Sequence, residues 1–147
     1  MRIKKKVYFL DTNIIWWYLV KNSKYHKPIK TYLDKLIIDT QNSFMVNEFV
    51  MIELFHLLIK KKGNEGFKIA SMLLNKNYPF FIIKYDLLQY SDLESVLTFL
   101  KKYGNISSIG GRDSTIIYSM KVHEVEDIIT NDKGFEEVDS IKIHNPI

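Results

Sequence analysis

Short runs of β-branched and aromatic residues alternate with helix-like amphipathic runs along the whole chain, and this alternation constrains the fold more than any other feature. Strands are predicted at residues 7–10, 43–46, 80–83, 127–130 and 141–143, with helices at 12–20, 27–39, 48–61, 65–74, 86–103 and 113–121. Strands separated by helices pair in parallel, so the pattern predicts a parallel sheet covered on both faces. Local signals agree with it. Pro28 suits a first helical turn, and Ile29, Tyr32, Leu33, Leu36 and Ile37 recur at helical spacing behind it. Asn47 is placed to cap the helix from Glu48, which is apolar on nearly every side, is expected to be largely buried, and is ended by Gly63.

The 147 residues predict one domain, 1–147. The longest apolar run, 14–20, falls short of the roughly 18 residues that span a bilayer and reads as a buried helix. The basic N-terminus leads into a strand and an acid without an apolar signal core, so a cytoplasmic location and no membrane contact are expected. Absence of cysteine excludes disulfides, zinc–thiolate sites and thiol nucleophiles. A net charge of +4, from 21 basic against 17 acidic residues, suits a nucleic-acid partner and equally a lysine-rich solvated surface. The blocks Lys4-Lys5-Lys6 and Lys60-Lys61-Lys62 are short enough to be ordinary element ends. Gly110-Gly111 lacks both phosphate-loop spacings, and the four histidines lack metal-pair spacing.

Four acids are candidates for a shared site, two of them, Asp11 and Asp132, at strand ends where a parallel sheet builds its sites. Asp11 ends the first strand, where a helix cap explains it as well as a site does. Glu53 sits mid-helix with Phe49, Val50 and Leu57 at helical spacing, where a carboxylate costs several kcal/mol unless it is protonated, paired or bound to a cation. Glu48 competes with it, although the helix dipole already accounts for a first-turn acid. Asp113 opens a helix and shares a stripe with Ile116, Ile117 and Met120, and Asp132 follows a strand within a turn-forming Asn-Asp-Lys-Gly run. Each has a structural explanation of its own. Convergence would have a single cause, because carboxylates about 6 Å apart repel by about 3 kcal/mol at an effective dielectric near 20. Gathered acids need protons or a divalent cation, and an all-oxygen donor set selects Mg²⁺ or Mn²⁺ over zinc.

Four segments, taken in order, resemble the PIN-domain ribonucleases and particularly the VapC-type toxins of toxin–antitoxin modules. They are Leu10-Asp11-Thr12-Asn13, Ile52-Glu53-Leu54-Phe55, Arg112-Asp113-Ser114 and Thr130-Asn131-Asp132-Lys133-Gly134-Phe135. The resemblance covers nearly the whole chain. It implies an α/β, three-layer α/β/α fold with a central, mostly parallel five-stranded sheet, and a metal-dependent ribonuclease acting on single-stranded RNA. The family's acidic quartet carries over onto Asp11, Glu53, Asp113 and Asp132 as catalytic residues and ligands of Mg²⁺ or Mn²⁺, with Asn13 and Thr130 as supporting polar positions. Implied partners are a small antitoxin and a second copy in a homodimer. Ser114 departs from the Ala common after the third acid, and the stretch from Glu53 to Asp113 is long.

The expected chemistry is hydrolysis of a phosphodiester, with Asp11 and Asp113 in direct metal contact and Glu53 and Asp132 binding through water or at a second metal. Arg112 and Lys133, adjacent to motif acids, are the expected RNA contacts. One alternative is a haloacid-dehalogenase-like phosphatase, which usually needs a second acid where Asn13 stands. The other is a non-catalytic PIN-like module that binds RNA or protein.

Overall fold

A computed structural model of the chain describes residues 5–75, 83–86, 88–104 and 109–147. Its strands are β1 (Lys6–Leu10), β2 (Asn42–Asn47), β3 (Ile83–Asp86), β4 (Asp127–Ile129) and β5 (Lys142–His144). Its helices are α1 (Thr12–Leu19), α2 (His26–Ile38), α3 (Glu48–Leu74), α4 (Leu93–Tyr103) and α5 (Gly111–Val122). The strands form one parallel sheet in the order β3-β2-β1-β4-β5, flanked by helices in three α/β/α layers.

β1 is central, paired with β2 through Phe9↔Met45 and with β4 through Leu10↔Ile129. A parallel strand covered on both faces reads as a continuous apolar run, and Phe9, Leu10, Ile128 and Ile129 are all fully buried. α1 packs on α2 and α3, and α4 packs on α5. Asn47 caps α3 by accepting from the Val50 N–H at 3.0 Å, while its amide donates to Thr115 Oγ1 (3.1 Å) and Ser119 Oγ (3.2 Å) of α5.

Several details differ from the sequence pattern. The predicted third strand falls partly on residues 80–82, outside the described residues, and β3 runs on to Asp86. The helix expected from residue 86 begins at Leu93, after a 3₁₀ turn at Tyr90–Asp92 in which the Asp92 carboxylate accepts from the Gln89 N–H. The break expected at Gly63 is present, as a sharp bend at φ +54° between two helical segments of α3, a conformation that glycine adopts without a Cβ clash. Beyond the bend the second segment lies so close to the first that a Cβ on Gly66 would sit 1.9 Å from the Leu58 carbonyl oxygen. α3 is also less buried than expected, with Phe49 (39%), Ile52 (62%) and Ile59 (48%) exposed.

Candidate active site

The chain order places β1 at a switch point. β2 and β3 extend the sheet on one side, whereas β4 and β5 extend it on the other, and the carboxyl ends of strands at such a reversal are where open α/β sheets form their ligand crevice. Asp11 follows β1 and Thr130 follows β4, so residues distant in sequence become neighbours. The Asp11 N–H donates to the Ile129 carbonyl at 3.2 Å and extends the ladder by one residue.

Asp11 is a helix cap and also a member of a cluster. Its Oδ1 accepts from the Thr12 N–H at 2.8 Å and from Arg112 Nη1 at 3.1 Å, and its Oδ2 accepts from Thr130 Oγ1 at 2.7 Å. Arg112 Nη1 also donates to Glu53 Oε2 (2.6 Å) and Thr12 Oγ1 (2.8 Å), and its Nη2 to Asp113 Oδ1 (3.1 Å). Three of the four predicted acids therefore meet on one guanidinium. Asp132 joins through Thr130, whose Oγ1 accepts from the Asp132 N–H at 2.9 Å. The Asp132 carboxylate itself accepts from the Gly134 N–H at 2.8 Å, and its charge raises the pKa of both Asp11 and Asp113.

The two glutamates of α3 part company. Glu53 lies one turn into the helix on the side facing α1, where its Oε2 also accepts from Thr12 Oγ1 at 2.9 Å. Glu48 turns away, accepting from the Leu88 N–H at 3.1 Å. Asn13 and Lys133 are exposed. Arg112, expected to face RNA, lies among the acids with its side chain 27% exposed. Thr12 is the site residue that sequence reading missed, and its only signal was a hydroxyl directly after the first acid. Three of the four histidines take other partners: His144 pairs with Asp127 and His123 with Asp86 (both 2.7 Å), and His26 bonds the Trp17 carbonyl.

Burial raises the carboxyl pKa of Asp11 and of Asp113 above the ordinary 3.8, and Arg112 pulls the other way without cancelling it. One guanidinium for three carboxylates leaves the cluster short of positive charge. By donor chemistry this set fits a hard divalent cation, since it offers only oxygen and its buried acids gain from added positive charge. Among the described residues no three such side chains already stand as a metal cage, because the acids close on the guanidinium instead.

A sequence model of the PIN domain matches residues 8–141. No curated protein shows a sequence match. Solved structures with this fold include Mycobacterium tuberculosis VapC20, described as a Sarcin-Ricin loop cleaving toxin, at TM-score 0.72 and 15% identity over 91% of this chain and 95% of that one. FitAcB from Neisseria gonorrhoeae is similar at TM-score 0.65 and 21% identity, over 95% and 97% of the two chains. VapBC2 from Rickettsia felis, bound to a DNA fragment from its promoter, has TM-score 0.66 and 20% identity over 95% and 98%.

Proposed function

The chain belongs to the PIN domain family, and on that premise we propose that it is a Mg²⁺- or Mn²⁺-dependent endoribonuclease, the toxin of a toxin–antitoxin pair. The observation that carries the proposal is the gathering of Asp11, Glu53 and Asp113 on one cation at the switch point, with Asp132 tied in by Thr130. The toxin description of VapC20 supports the same reading.

Asp11 and Asp113 would hold the divalent cation, with Glu53 and Asp132 completing the donor set. When bound, the cation supplies Lewis acidity at the scissile phosphate. The chain's own residues orient and exclude. Thr130 and Thr12 fix the carboxylate rotamers by hydrogen bonds, and Asn13 adds a polar group at the α1 N-terminus. Arg112 balances the acids and reaches a substrate phosphate, with exposed Lys133 beside Asp132 as a second phosphate contact. Attack of water on phosphorus, with departure of the 3′ oxygen, leaves a 5′ phosphate and a 3′ hydroxyl.

A small antitoxin and a second copy of the chain are the proposed protein partners. The exposed apolar residues Phe49, Ile52 and Ile59 of α3 offer a surface for such contacts, and a similar fold occurs in a toxin–antitoxin complex from Klebsiella pneumoniae. Among the described residues no helix is long and apolar enough to cross a membrane. The test is cleavage of structured RNAs in Mn²⁺ or Mg²⁺ by the protein and its Asp11→Asn variant. Equal cleavage by both, or cleavage undiminished by EDTA, would sink the proposal.

A further inference from the structure

At the opposite end of the α1–α3 pair from the Thr12–Glu53 bond lies an open cleft of about 360 Å³, whose lining includes Trp16, Trp17, Lys24, Lys61 and Lys62. Its aromatic rings and two of its ammonium groups lie close together. Lys61 Nζ stands 5.3 Å from the centroid of the Trp16 ring, Trp17 meets Tyr25 edge-on at 4.8 Å, and Lys24 Nζ lies 4.8 Å from the Tyr25 ring. The connection from α1 to α2 is tied to α1: Ser23 Oγ donates to the Trp17 carbonyl at 3.2 Å, His26 Nδ1 bonds the same oxygen at 2.8 Å, and the Val20 N–H donates to the Trp16 carbonyl at 2.9 Å. The backbone of this connection therefore needs little ordering on binding.

The charge of this cleft is not neutralised from within. Among the described residues no carboxylate lies within ion-pair distance of Lys24, Lys61 or Lys62, whereas Lys6, Lys30 and Lys142 each have an acidic partner. Trp16 is buried in the core at 8% exposure, and unneutralised ammonium groups beside the half-buried Trp17 indole suit one class of ligand, a polyanion with unpaired bases. Ammonium groups neutralise phosphates and release counterions, and an aromatic face stacks any base. Trp16 is also only one helical turn, about 6 Å along the axis, beyond Thr12. A strand seated at the carboxylates therefore reaches this cleft within a few nucleotides.

We propose that the Trp16–Trp17–Lys61–Lys62 cleft is a second RNA subsite, which holds single-stranded nucleotides flanking the scissile bond. The inference rests on the ribonuclease reading and adds where the substrate runs. The probe is a fluorescein-labelled single-stranded oligoribonucleotide of about ten residues, within the usual range of site sizes. It is titrated by anisotropy against full-length Asp11→Asn protein at several salt concentrations. The Lys61→Ala/Lys62→Ala change is expected to weaken binding about tenfold and to reduce the slope of log K against log salt by about 1 to 2. Trp17→Ala weakens binding at least about fivefold with little change of slope. Lys61→Arg/Lys62→Arg retains the charge and the affinity, which separates lost contacts from a damaged fold.

Lys101→Ala/Lys102→Ala, in the α4–α5 pair, leaves binding unchanged. Unaltered affinity and slope in the Lys61/Lys62 variant overturn the subsite, as does an equal loss from the Lys101/Lys102 change. Preferential adsorption to phosphatidylglycerol vesicles, uncontested by the oligonucleotide, overturns it too. Failure of the ribonuclease reading is read separately: the unsubstituted protein then leaves the RNA uncut, while the anisotropy titration still decides the subsite.

Discussion

Thr130 Oγ1 donates to Asp11 Oδ2 at 2.7 Å across a sequence separation of 119 residues, and the same oxygen accepts the Asp132 N–H at 2.9 Å. One hydroxyl thus joins the ends of β1 and β4 and couples two of the four acids. Thr130→Val keeps the shape but leaves a buried carboxylate oxygen and a backbone N–H each short of a partner. We expect a loss of about 1–3 kcal/mol in urea unfolding and a fall in initial cleavage rate. Thr130→Ser should recover most of both; if Val behaves as Thr does in both assays, the bridge has no role.

Asp11→Asn retains a capping side chain, since Asn caps as well as Asp does. Helical circular dichroism should be preserved while cleavage falls by more than the roughly 10–100-fold that outer-sphere partners of a metal are worth. Gel assays of matched, folded samples check this.

Among the described residues Arg112 is the only cation hydrogen-bonded within the cluster, contacting Asp11, Glu53 and Asp113 at 2.6–3.1 Å. Arg112→Ala should lower stability at neutral pH in EDTA by about 1–3 kcal/mol, less than a fully buried pair because the side chain is partly solvated. Mg²⁺ should then raise the melting temperature of the variant more than that of the parent. Equal shifts in calorimetry would argue against a shared role for guanidinium and metal.

Asp11 and Asp113 have folded-state pKa values raised by burial above 3.8, so the fold binds their protons more tightly than the unfolded chain does. Their contribution is full below the unfolded value and is lost as pH rises through the folded one. In EDTA, Asp113→Asn should therefore gain stability relative to the parent as pH rises above about 4. Asp34 has the opposite sign: Lys30 and Tyr18 hydrogen bonds hold its pKa down against desolvation, so its contribution fades on acidification. Urea unfolding across pH, with and without the substitution, reads the difference.

Gly66→Ala places a methyl 1.9 Å from the Leu58 carbonyl oxygen, a backbone atom that has to shift. A cost of about 1–3 kcal/mol is expected, with cleavage per folded molecule retained. Thermal melts beside activity titrations separate the two effects.

Much of this arrangement is legible in the sequence. The apolar run before Asp11 and the Thr-Asn-Asp run after Ile129 mark strand ends, because strand patterning and turn chemistry are local properties. The Ile116, Ile117 and Met120 stripe likewise predicted the buried face of α5, and all three are fully buried. α4 was less legible. Nothing in the periodicity of residues 86–103 shows that Asp92 folds back to accept from the Gln89 N–H and starts the helix late.

What the chain determines by itself is the succession of strands and helices and the position of an acid at each critical end, since both follow from short-range hydrophobic period and capping. Tertiary structure decides the rest. Glu53 rather than Glu48 joins the cluster because α3 is set against α1 so that Thr12 Oγ1 reaches it. Arg112 turns inward because burying three carboxylates demands a counter-charge within hydrogen-bond reach, and no local pattern records a partner 59 or 101 residues away.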